Sequence, residues 1–221
     1  MTTSRPLLRL VTIAAVTAAT LSLSGCLYAQ IPDEVPTIDV VTTDEPDAPA
    51  DEPAGDLPRT LGFAEGQELS PTVSVEWGDG LLVDDGWVTE SPDDGNGGWS
   101  YATADGSCTA RFWQGLTSDV AVVDGDDSAS SDAILAALLR STAAVITPLA
   151  TTGEFSYQVG GSGGVENRQI VGADGERTWV MAARAFTAIG VGLYVIVDCS
   201  TGDAATILSE VTDKNAVVVT P

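Results

Sequence analysis

The sequence predicts an α+β fold over residues 60–221, a mainly antiparallel sheet with about two helices packed on it. Apolar and polar residues alternate through most of this stretch, as they do in strands that bury one face. Glycine-containing turns of hairpin length separate many of these segments, and hairpins join antiparallel strands. Two segments change to helical spacing, so we expect strands, helix, strands, helix and a final strand.

Four strands are predicted before the first helix. Val73, Val75 and Trp77 fall on one side of the first of them. Ala104-Asp105-Gly106 is typical of a hairpin turn between the third and fourth. The predicted strands cover residues 72–77, 86–90, 99–103 and 108–113.

The first helix is predicted over residues 131–146. Its apolar residues, beginning with Ile134 and Leu135, recur at helical spacing. Ser130 or Ser131 precedes them and can cap the helix with a hydroxyl oxygen.

The second half alternates again and ends in a short helix and a strand. Asp203 precedes a run with apolar residues at helical spacing, so we expect it to cap a helix that extends to Val211. A glycine-rich link is predicted over residues 160–164. The predicted strands cover residues 154–159, 166–171, 177–187, 190–199 and 216–220.

This order of elements broadly resembles the Mog1/PsbP-like arrangement of sheet and helices seen in some actinobacterial lipoproteins. The resemblance is one of fold alone, because no residue motif carries it. It implies an antiparallel sheet covered by helices.

The N-terminus contains a targeting segment. Arg5 and Arg9 precede an apolar run over residues 10–23, which is too short to span a membrane comfortably. The run ends in Leu23-Ser24-Gly25-Cys26, which resembles the lipobox of bacterial lipoproteins with type II signal peptides. That resemblance implies cleavage after Gly25 and lipidation of Cys26, so residues 1–25 are a signal peptide and the protein is anchored on the extracytoplasmic face of the cell membrane. The alternative is an ordinary secretory signal that is cut elsewhere.

Residues 26–59 are predicted to form a disordered tether. The segment is rich in proline and acids and holds few residues that can bury apolar surface. Proline and charge repulsion extend such a chain, which would hold the domain away from the membrane.

The cysteine count supports a disulfide. The chain has three cysteines, and if Cys26 carries lipid, Cys108 and Cys199 remain as a pair in an oxidising compartment. Strand periodicity places both on the core side of their strands. We therefore predict a Cys108–Cys199 bridge, with two free buried thiols as the alternative.

Composition excludes several functions. The formal net charge of -23 excludes a nucleic-acid partner, which needs basic patches. It favours cationic ligands or simply provides a solvating surface. The absence of histidine excludes Ser-His-Asp catalysis and His-ligated zinc. No cofactor is predicted.

Aromatic and acidic residues are the remaining candidates for a site. Trp77, Trp87 and Trp99 lie among loop aspartates, an arrangement used for glycan binding and for carboxylate-dependent hydrolysis of glycans. No spacing singles out a catalytic pair. The alternative is that the tryptophans fill the core and the aspartates only keep the loops hydrated.

A group of three aspartates and the single residue Arg184 each have two competing interpretations. Asp124, Asp126 and Asp127 are the candidate ligands if a calcium ion binds, although the spacing fails as an EF-hand. Such acids also favour a helix N-terminus. Arg184 lies in an apolar strand and needs an acidic partner such as Asp198, or else forms an anion site.

We therefore expect a membrane-anchored, non-enzymatic binding or interaction module. Its partner would be an envelope protein, a glycan or a small molecule. The alternatives are a carboxylate-dependent cell-wall hydrolase and a calcium-dependent or glycan-binding module.

Overall fold

The computed structural model describes residues 58–158 and 163–221. The predicted signal peptide, Gly25, Cys26 and almost all of the predicted tether lie outside these residues. Among the described residues, no helix is long and apolar enough to cross a membrane.

The described chain forms one nine-stranded sheet with helices on both faces. Along the sheet the strands run in the order β1-β9-β5-β6-β7-β8-β4-β3-β2. The strands are β1 Ser74–Trp77, β2 Trp87–Ser91, β3 Gly98–Thr103, β4 Cys108–Leu116, β5 Thr151–Tyr157, β6 Gly163–Asp174, β7 Arg177–Phe186, β8 Val191–Cys199 and β9 Val217–Thr220. The helices are α1 Phe63–Gly66, α2 Asp127–Leu138, α3 Ala143–Ile146 and α4 Ala204–Lys214, with a 3-10 helix at Gly80–Val83.

The prediction of an α+β fold is confirmed, but the sheet is mixed. Neighbouring strands pair antiparallel except β5 and β9, which are parallel at Tyr157 and Val217. The edge strand β1 also bends back towards β4. There the Trp77 amide donates to Gln114 Oε1 at 2.8 Å, and the Trp77 indole N–H donates to the Trp113 carbonyl at 3.1 Å.

The two long helices cover opposite faces of the sheet. The α4 side holds the larger core, in which Leu208 and Val211 pack with Val180, Val195 and Phe112. The α2 side holds a smaller core. Its members include Ile134, Leu135, Ile170, Ala183 and Ala185. Residues that alternate along β7 therefore serve two separate cores.

The Cys108–Cys199 disulfide prediction is confirmed. The two residues are directly opposite in the β4–β8 pairing, with Cα atoms 4.0 Å apart. Both are buried on the α4 side, as the strand alternation predicted. The bridge joins positions 91 residues apart in the sequence.

The prediction of one helix over residues 131–146 is wrong. The helix begins at Asp127 and is capped by Asp126, whose carboxylate accepts from the Ala129 amide at 2.8 Å; neither Ser130 nor Ser131 is the cap. It ends before Arg140, whose φ of 50° is left-handed. A separate turn of helix, α3, follows.

The Asp203 prediction is confirmed, and α4 extends to Lys214, beyond Val211. Gly163 and Gly164 of the predicted glycine link belong to β6, and residues 160–162 of that link lie outside the described chain. Glycine is required at Gly163 because a Cβ there would lie 2.0 Å from the Arg59 carbonyl oxygen.

Residues 58–66 complete the sheet where β6 and β7 separate. The last registered pair of these two strands is Arg168 with Ala183. Beyond it, the Leu61 amide donates to the Gly164 carbonyl at 2.9 Å, and the Glu166 amide donates to the Leu61 carbonyl at 3.0 Å. We call residues 58–66 the strap. Leu61 is fully buried.

Candidate functional site

A groove opens between the 3-10 helix, the end of β1 and the β2–β3 hairpin. Its volume is about 320 Å³, near the lower end of the range for small-ligand sites. Aromatic, aliphatic and acidic side chains line it, and the described lining residues include no lysine or arginine. Among them are Trp77, Asp79, Leu82, Asp93, Trp99 and Tyr101.

Two of the three tryptophans singled out from the sequence lie in the core. Trp77 is 5% exposed and packs edge-on against Phe112 and Phe155. Trp87 is also 5% exposed, and its indole N–H donates to Glu210 Oε1 at 3.1 Å. Neither ring offers an open face on which a sugar could stack. The alternation of Trp77 with Val73 and Val75 was a signal for this core position.

Trp99 is the half-buried tryptophan of the groove. Its ring stacks on Phe112 with centroids 5.5 Å apart and planes at 10°, so one face is covered. The indole N–H is buried without a hydrogen-bond partner among the described residues. The structure therefore brings Trp77 and Trp99 to one groove and leaves Trp87 outside its lining.

The acids of the groove have structural partners. The Tyr101 hydroxyl donates to Asp79 Oδ1. Burial and this carboxylate raise the pKa of Tyr101 well above its usual range, so the phenol stays protonated and continues to donate. Asp93 Oδ1 accepts from the Gly95 amide at 2.8 Å, which shapes the β2–β3 loop. These contacts give both carboxylates a role in holding the loops.

An exposed apolar surface adjoins the groove. Leu82, which lines the groove, and Val83 end the 3-10 helix and are 60% and 85% exposed. We call these two residues the corner patch. The next residue, Asp84, accepts from Lys214 Nζ at 2.6 Å, and Lys214 also bonds Glu210 at 3.2 Å. Lys214 is thus committed to an ion-pair network, which lowers the pKa of Asp84.

Asp124, Asp126 and Asp127 do not converge on a common point as ligands. Asp126 caps α2, and Asp127 is fully buried. Its Oδ1 accepts from the Thr187 amide at 2.9 Å and from the Thr187 hydroxyl at 2.6 Å. Within the described residues, no group of acids and cysteines is arranged to hold a metal ion.

Arg184 is paired with Asp127 rather than with Asp198. Its Nη2 lies 3.0 Å from Asp127 Oδ2 and donates to the strap carbonyl of Gly62 at 2.9 Å, and Nη1 donates to the Glu166 carbonyl at 3.0 Å. Burial lowers the pKa of Arg184 to about 10, with Asp127 opposing that shift. The guanidinium also lies over the rings of Phe63 and Phe186.

The partner of Arg184 could not be read from the sequence, because it lies on another element 57 positions away. Asp198 pairs instead with Arg177 on the neighbouring strand. The buried cluster of Arg184 and Asp127 is thus part of the framework, and the groove with the corner patch is the candidate site.

No protein-family model matches the chain, and no curated protein matches it significantly.

Proposed function

We propose that this chain is a lipoprotein, anchored through Cys26 on the extracytoplasmic face of the membrane, whose folded domain is a non-enzymatic interaction module. The binding surface is the corner patch together with the adjoining groove. The observation that carries the proposal is the exposure of Leu82 and Val83 beside a cavity lined by Leu82 and Trp99. Apolar residues grouped at the rim of a groove are typical of an interaction site.

The chemistry of the groove favours binding over catalysis. A glycosidase needs one carboxyl that donates a proton and a second that acts as nucleophile or base. Asp79 is held by the Tyr101 hydroxyl and Asp93 by a backbone amide. Both carboxylates are thus engaged in contacts that hold structure, which supports the non-enzymatic proposal over the hydrolase.

Glycan binding is the second candidate function. It is favoured by the position of Trp99 in the groove and by hydroxyl-bearing neighbours such as Thr89 and Ser91. Glycan binding is the weaker of the two proposals, because stacking of a sugar requires an open aromatic face and the Trp99 ring has limited exposure.

Two measurements test the proposal. Cys26→Ala should release the chain from the membrane fraction, because the two acyl chains supply the anchoring. Retention of the variant in washed membranes would contradict the lipid anchor.

Hydroxyl-radical footprinting of the full chain tests the surface. On intact cells, Leu82 and Val83 should be oxidised more slowly than in the detergent-purified protein, because a partner covers them. Val145 and Leu149 are comparably exposed at 54% and 64% and should react equally in both samples. Equal oxidation of the corner patch in the two samples would refute the proposed binding surface.

A further inference from the structure

The corner patch is surrounded by negative charge. Asp79 and Asp93 share the groove with Leu82, and Asp85 follows the 3-10 helix. All three acids are exposed. The apolar centre is therefore set in a strongly acidic rim on a chain of net charge -23.

The charge of the rim selects among occupants. A second copy of this chain would bring two acidic rims together, and juxtaposed like charges are unfavourable. An occupant with apolar anchors and positive charges complements both the centre and the rim. Lys214 does not neutralise the rim, since its ammonium is held by Asp84 and Glu210.

The position of β2 favours a polypeptide occupant. β2 is the last strand of the sheet, so one side of its backbone has no neighbouring strand among the described residues. An extended segment can pair with such an edge and place alternate side chains against the patch. The register shift between Thr89 and Ser91 limits regular pairing to the start of the strand, which follows the 3-10 helix in the chain.

We infer that the corner patch binds an extended, lysine- or arginine-rich polypeptide segment that carries aliphatic or aromatic anchors. The anchors pack on Leu82 and Val83, and the cations face Asp79, Asp85 and Asp93. The inference rests on the proposed function, since it names the partner of the same surface.

Photo-crosslinking in the native cells tests it with the full chain. A photoreactive phenylalanine analogue replaces Val83 in one variant and Val145 in the control; both positions are exposed, so folding should tolerate the change. We expect Val83, and not Val145, to give a crosslink to a segment that is basic and contains apolar residues.

Binding affinities for synthetic peptides give a quantitative test. Two peptides share the same leucine–valine core, and one is flanked by lysines and the other by glutamates. The lysine-flanked peptide should bind at least about tenfold more tightly, and added salt should weaken it. Leu82→Asn/Val83→Asn should weaken its binding about tenfold or more, because the anchors lose their apolar contacts. Val145→Asn/Leu149→Asn should leave binding unchanged.

The outcomes separate the inference from the proposed function. A position-83 crosslink to an acidic segment, a saccharide or a second copy of the chain would overturn the inference and leave the interaction surface standing. Equal binding of both peptides would also overturn it. A crosslink yield at position 83 no greater than at position 145 would overturn both.

Discussion

The two faces of the sheet hold their helices in different ways. On one face, α4 buries Leu208 and Val211 against valines and aromatic rings, an apolar contact of an amphipathic helix. On the other face, α2 buries Ile134 and Leu135 but also Asp127 and Ser131 within its first turns. Polar groups thus supply much of the attachment of α2.

The difference follows from the continuity of the strands beneath each helix. β7 and β8 remain paired from Thr178–Cys199 to Phe186–Val191, and α4 packs on both strands. The β6–β7 pairing stops at Ala183, so later β7 amides need other acceptors. Ser131 Oγ accepts from the Ala185 amide at 2.9 Å, and Asp127 takes the amide of Thr187. α2 therefore completes the hydrogen bonding of a sheet that has split.

The largest expected effect is on the polar face. Asp127→Asn should lower the free energy of unfolding by about 3–5 kcal/mol, because it leaves the buried guanidinium of Arg184 without its ion-pair partner. Urea denaturation of the folded domain measures the change.

Asp198→Asn is the matched control for that prediction. It breaks the Arg177 pair, which is partly exposed to solvent, so the expected loss is only about 0–1 kcal/mol. Equal losses of stability for the two variants would show that the buried ion pair contributes no more than the exposed one. That result would contradict the proposed difference between the two faces of the sheet.

Ser131→Ala should have an intermediate effect. The substitution removes the acceptor of the buried Ala185 amide and should cost about 1–3 kcal/mol. Ser209→Ala, at an exposed position on α4, should change stability by no more than about 0.5 kcal/mol. Amide hydrogen exchange of Ala185 should accelerate only in the first variant; unaltered protection there would contradict the role assigned to Ser131.

The smallest effect is expected at the start of α4. Asp203 accepts from the Ala205 amide and the Thr206 hydroxyl, and these bonds lower its pKa below 3.8. A carboxyl with a depressed pKa stabilises the fold above its unfolded pKa and loses that contribution as the pH falls through its folded pKa. Asp203→Ala should therefore lower the melting temperature at pH 7.

The loss caused by Asp203→Ala should begin to shrink below about pH 4, near the unfolded pKa of an aspartate, and disappear as the pH falls through the lower pKa of the folded carboxyl. Asp119→Ala removes an exposed acid and corrects for the reduced overall repulsion. A difference from wild type that persists undiminished at low pH would rule out the titrating cap.

Local patterns account for much of the fold that could be predicted. Period-two alternation and hairpin turns located most of the strands to within a few residues, and Asp203 was identified as a cap because a short acid precedes an apolar helical pattern. The disulfide followed from the cysteine count, together with the alternation that placed Cys108 and Cys199 on the core side of their strands.

Non-local geometry accounts for the rest. The start of α2 was misplaced because Asp127 and Ser131 look like surface residues, and their burial depends on the separation of β6 and β7. In the candidate site, the sequence selected Trp99 and the loop acids. It missed the corner patch, because the exposure of Leu82 and Val83 depends on how the chain turns between β1 and β2.

The strap determines how the domain would respond to mechanical force. A pull transmitted through Arg59 reaches Leu61, which is bridged in parallel to Val165. A force along the axis of β6 would load the backbone hydrogen bonds of Leu61 with Gly164 and Glu166 at the same time, so both would have to break together. Arg184 also donates a charged hydrogen bond to the adjoining Gly62 carbonyl, which would have to break as well. Forced extension from the N-terminal side should meet its first resistance at this junction.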